Sequence, residues 1–234
     1  GTGTLSSANN NTGLGFEVFD DLTSGDDNVG VGVQALTKLT TGVQNVAIGS
    51  ASLDANTSGN YNTAVGTSSL GANTTAEENT ALGWGAAEST TTGAANTAVG
   101  SQALADNTTG ASNVAIGREA LHTNTTGGEN VAVGKHALRA NTTAGNNVAI
   151  GKDALTANTI GNTNVAIGTD AMTTNVAADR NVAVGEQALQ NMTASSSTDT
   201  YNVAVGYNAG LSINSGVKNT FVGGRAGDAT TTAN

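Results

Sequence analysis

Nucleophilic and general-base chemistry in this 234-residue chain would have to be built without cysteine, from carboxylates, hydroxyls and two histidines, His122 and His136. A catalytic triad holds a base between a nucleophile and an orienting acid, and neither histidine has an evident Ser and Asp pairing. The absence of Cys excludes a disulfide framework without fixing the compartment. The stretch "GVGVQA", Gly30 to Ala35, matches a loose dinucleotide fingerprint. No helix pattern follows it, so the match carries no phosphate chemistry. Asp20, Asp21, Asp26 and Asp27 offer oxygen ligands of the kind calcium prefers. The glycine–aspartate nonapeptide of calcium-binding β-rolls is absent, and a solvated acidic edge is the expectation. Polysaccharide cleavage would require a carboxylate or basic cluster in a groove, and none is evident. These residues predict no enzyme, no cofactor and no metal.

Other residues suggest binding rather than reaction. Arg118, Lys135 and Lys152 recur at one position, with Glu119, His136 and Asp153 beside them. Like charges about 5 Å apart repel unless they are exposed and compensated, so a solvated edge is expected. Asn56, Asn73, Asn107, Asn124 and Asn141 match the glycosylation pattern N-x-[S/T], although turn chemistry explains them equally. The segment "NMTASSSTDTY" holds a candidate receptor-contact loop, Ser195, Ser196, Ser197, Thr198 and Asp199. Trp84 sits where Leu is replaced by Ala87; the residue either fills that vacancy or stands out as a sugar-stacking platform. Phe16, Phe19, Tyr207 and Phe221 read as end-capping bulk.

What positions all of these is a repeat. An Asn followed four residues later by Gly occurs at Asn11, Asn28 and onward through Asn113, Asn130, Asn147 and Asn164 to Asn219. Every step is 17 residues except one of 21, between Asn181 and Asn202. The consensus reads N-V-A-[V/I]-G-x-x-A-L-x-x-N-T-T-G-x-x. β-Branched residues two apart predict a short strand ended by Gly. The Ala-Leu pair reads as a second short extended piece, and "NTTG" as a turn. Seventeen residues are too few for a helical repeat and suit one coil of a β-solenoid. The predicted fold is all-β: a parallel β-roll spanning residues 1–234 as one array, with repeats from 11 to about 230. Stacking then makes Asn113, Asn130, Asn147 and Asn164 an internal amide ladder.

Val, Ile and Leu are expected inside. The cost of ordering each coil exceeds what three such side chains return, so the small-residue face is expected to meet sister chains. Ala115, Ala132, Ala149 and Ala166 would form that subunit interface, and Ala132→Leu would disrupt assembly.

A net charge of −10 argues against a nucleic-acid partner. No apolar run approaches the roughly 20 residues of a membrane span. "NVAIG", "NVAVG" and "NTAVG" resemble the head repeats of trimeric autotransporter adhesins, trimers of left-handed parallel β-rolls. The longer "ALxxNTTGxxN" spacing is similar to repeats of bacteriophage tail-fibre proteins. The resemblance covers residues 11 to 227 and implies a homotrimeric fibre segment of a virion tail fibre or extracellular appendage, giving reach and host attachment. A bacterial adhesin head binding host or matrix ligands is the alternative. Either implies self-association, extending to an end-to-end filament, and a cell-surface receptor or glycan as partner.

Overall fold

The computed structural model describes residues 7–193, 196 and 198–232. The chain divides into two units, Gly1–Asn113 and Val114–Asn234, and no helix occurs among the described residues. Each unit is a parallel β-solenoid. In the first, β1 (Thr12–Leu14), β2 (Val29–Val31), β3 (Val46–Ile48), β4 (Thr63–Val65), β5 (Thr80–Leu82) and β6 (Thr97–Val99) pair in sequence order. The register is constant, with Ala47 beside Ala64 and Ala64 beside Ala81.

The second unit continues the pattern with β7 (Val114–Ile116), β8 (Val131–Val133), β9 (Val148–Ile150), β10 (Val165–Ile167), β12 (Val182–Val184), β14 (Val203–Val205) and β15 (Thr220–Val222). These seven also pair in parallel. A separate two-stranded pair, β11 (Ala178–Asp179) and β13 (Thr198–Asp199), absorbs the long repeat.

The strands that recur once per repeat are three residues long, and their alternation decides which face is inside. The structure corrects the expected faces. Ala115, Ala132, Ala149 and Ala166 have no exposed surface in a single chain, so they line the lumen and cannot meet a partner. The β-branched residues on either side point outward: Ile48, Ile116 and Ile150 are 41%, 39% and 39% exposed. The reason is volume. Opposite each strand the lumen already holds Leu, as at Leu121, Leu138 and Leu155, all fully buried, leaving room for a methyl group only. The Leu of each coil, rather than the Val or Ile, is the core side chain. Ala132→Leu would therefore overfill a lumen and leave the outer surface untouched.

The Ala-Leu piece also differs from expectation. It is a tight coil with alternate residues in the left-handed region: His136 has φ 61° and Leu138 φ 51°. The backbone bonds alternately to the two neighbours. His136 N–H donates to Arg118 C=O at 3.0 Å, in the preceding coil, and Leu138 N–H to Ala154 C=O at 3.0 Å, in the following one. β-Branched side chains clash in this backbone region. The Leu column accordingly holds Leu, Ala, Met, Gly and Phe but never Val or Ile.

Two rows of Asn hold the coils together. In the first unit Asn45 donates from its backbone N–H and its amide to Asn28 Oδ1, at 2.9 and 3.1 Å, and its amide also reaches Gly59 C=O. Asn113 makes the corresponding bonds to Asn96. In the second, Asn147 repeats them on Asn130 and Asn164 on Asn147. The second row is the turn Asn: Asn141 donates to Asn124 Oδ1 at 2.8 Å and to Ala144 C=O at 3.0 Å. Beside it, hydroxyls such as that of Thr142 donate to the next coil's backbone, here Thr159 C=O at 3.1 Å.

Large and small residues exchange places in the first and last repeats. Phe19 occupies the Leu position, and its ring fills the space left by Gly13 and Gly30. Phe221 occupies the strand-Ala position and lies over Gly210 and Gly227. Phe16 and Tyr207, by contrast, are exposed and fill nothing inside.

Candidate functional site

The side chains richest in chemistry gather on one edge of the second unit. The residue two places after each strand points outward at Arg118, Lys135 and Lys152. Their carbonyls accept from His136, Asp153 and Asp170 N–H, each at 3.0 Å, which stacks the three directly over one another. The following residue forms a second column: Glu119, His136 and Asp153. His136 stands between the two carboxylates, with Nδ1 3.0 Å from Asp153 Oδ1 and Nε2 3.6 Å from Glu119 Oε2. Glu119 is bridged on its other side by Arg139 and Arg118, both at 2.7 Å. Lys152 closes on Asp153 at 3.0 Å. The edge is solvated as expected, but it is an ordered network in which part-buried carboxylates orient exposed cations.

The hydrogen bond from Arg139, assisted by Arg118, outweighs burial and holds the Glu119 carboxyl below its ordinary value. Burial pushes Asp153 up, but the bonds from Lys152 and His136 more than offset it, leaving Asp153 low as well. A depressed folded-state carboxylate contributes stability that is present above its unfolded pKa and lost as pH falls through the folded one. Glu119→Gln is thus expected to lower the melting temperature by about 2–5 °C near neutrality. The difference from wild type should shrink as pH falls below the ordinary carboxylate range. A pH-independent difference in thermal melts would remove the network from the stability account.

The other candidates separate. Ser195 and Ser197 lie outside the described residues. Ser196 is exposed, and Thr198 and Asp199 form β13 against Ala178 and Asp179. Asp199 is bound by Arg180 and by the Tyr201 hydroxyl, and the Arg180 guanidinium lies 5.8 Å from the Tyr201 ring centre. Trp84 is 55% exposed, which corrects the reading that it fills the place of the missing Leu. Asn56, Asn73, Asn107, Asn124 and Asn141 have no exposed surface, which removes them as glycosylation acceptors.

His122 lies five residues past the bend at Gly117, in a different column from His136. Asp26 and Asp27 accept bonds from Asn9 and Asn10 across neighbouring coils. Among the described residues no group of three or more His, Asp or Glu is placed to hold a metal. A shallow cleft of about 420 Å³ in the first unit is lined by Asp54, Ser68, Gly71, Glu88 and Ser89. Burial raises the Asp54 carboxyl there.

Sequence reasoning listed the members of the charged column but missed their pairing, although the 17-residue offset is its signal. It read the second Asn row as turn residues and missed that their amides bond from coil to coil. Compared with family models, curated proteins and solved structures, the chain matches none.

Proposed function

We propose that the chain is a non-catalytic structural segment of a virion tail fibre or extracellular appendage, giving rigid reach and carrying surface attachment. The observation that supports this reading is the outer face of each sheet. Two parallel columns of β-branched side chains, such as Val131, Val148 and Val165 beside Val133, Ile150 and Ile167, point outward and are partly exposed in a single chain. A contiguous apolar face of this kind marks an association surface. Its register repeats with every coil, so identical chains aligned in parallel present the same apolar columns at the same heights. Three chains around a common axis would enclose these faces, a closed cyclic arrangement.

Placing lysine at Val133 and Ile150 together tests this. The wild-type chain is expected to sediment at three times its 22.8 kDa mass, and the double variant as a monomer with unchanged β-sheet circular dichroism. A monomeric wild type, or a variant that still sediments with wild type, would defeat the assembly.

A further inference from the structure

The charge on this chain is unevenly divided. Seven of its eight Lys and Arg residues lie in the second unit, while the first sets Lys38 alone against ten carboxylates. Four of the seven, Arg118, Lys135, Arg139 and Lys152, fall within three successive coils on the edge described above. On an acidic protein, such an island needs a reason.

We infer that the Arg118–Lys135–Lys152 column binds a linear polyuronate, an extended polysaccharide carrying one carboxylate per sugar. The argument is one of spacing and orientation. Backbone bonds stack the three residues directly, so their step is that of neighbouring strands, about 4.8 Å. Successive sugars of an extended uronan turn their carboxylates to alternate sides, so those on one side recur every second sugar, close to two coil steps, and meet Arg118 and Lys152 with Lys135 between them. Duplex nucleic acid places its charges about 3.4 Å apart on each strand and would fall out of register within two steps.

Orientation is already arranged. Glu119, with its side chain 9% exposed, fixes the guanidiniums of Arg118 and Arg139, whose own side chains remain 63% and 47% exposed. Arg118 therefore keeps outward donors suited to paired recognition of a carboxylate. Among the described residues Lys135 engages no carboxylate, so it meets a ligand without first breaking a bond. The inference rests on the attachment reading for its choice of a surface glycan, yet its test is separate.

The 234-residue chain is titrated with polygalacturonate, with galacturonate monomer, with neutral dextran and with duplex DNA of matched charge. Binding to polygalacturonate is expected to weaken with added salt and to exceed binding to the other three. Lys135→Gln combined with Lys152→Gln should weaken it about fivefold with unchanged melting behaviour. Indifference to the double substitution, equal affinity for dextran or for the monomer, or tighter binding to DNA would each overturn the inference. Sedimentation of the same samples reports the assembly independently, so a wild-type chain that forms a trimer but does not bind polygalacturonate rejects this site alone.

Discussion

Asn147→Asp is expected to destabilise the second unit by about 4 kcal/mol at neutral pH, although the side chain hardly changes shape. Asn147 has no exposed surface. Its Oδ1 accepts the Asn164 N–H at 2.9 Å, a bond the aspartate would keep. Its Nδ2, however, donates to Asn130 Oδ1 at 3.2 Å and to Gly161 C=O at 2.9 Å. Aspartate replaces that donor by a charged oxygen facing two acceptors, at a position with no exposed surface. Asn147→Ala is the milder comparison. It orphans one buried N–H and leaves a small void, for about 2–4 kcal/mol. Chemical denaturation of both variants at neutral pH should rank them in this order. Lowering the pH to protonate the aspartate should narrow the gap, because the acid donates again. Equal stability of Asn147→Asp and wild type at neutral pH would show that the amide row is ornamental.

Gly134→Ala is expected to be as damaging for a different reason. Gly134 has φ 132°, a region open essentially to glycine alone and costing other residues about 1–3 kcal/mol. Its missing Cβ would also lie 2.5 Å from Gly151 C=O, and backbone cannot rotate aside as a side chain does. The combined cost is about 4 kcal/mol or more. Gly224→Ala is the control, since a methyl group there meets nothing within 4 Å. Thermal melts should separate the two clearly, and a Gly134→Ala protein as stable as the control would mean that coils can move apart at this bend.

The repeat made the solenoid legible. A strand of three residues ended by Gly, recurring every 17, admits few other folds. The faces were not legible, because a strand written Val-Ala-Ile is apolar on both sides and size alone favours putting Val and Ile inside. What decides the matter is the Leu six residues further on, such as Leu138 after Ala132, which fills the lumen. That Leu was readable as core but not as a left-handed residue, since propensity argues against the conformation for any side chain. The clue lay in what the column omits: Val and Ile, abundant in the strands, never appear there. The Glu119–His136–Asp153 pairing follows from the same offset. Repulsion between like charges in the outer column drew attention away from the attraction in the column behind it.

In both units, each strand of the main sheet bonds only to the strand one repeat away, along a separation of 17 residues or, once, 21. The entropy lost in closing one loop is therefore the same wherever it falls in the chain. A gene could lengthen such a protein by copying one unit in frame, since the newcomer demands no contact that its neighbours do not already make. Size, normally fixed by the need to enclose a single interior, is here left free to drift.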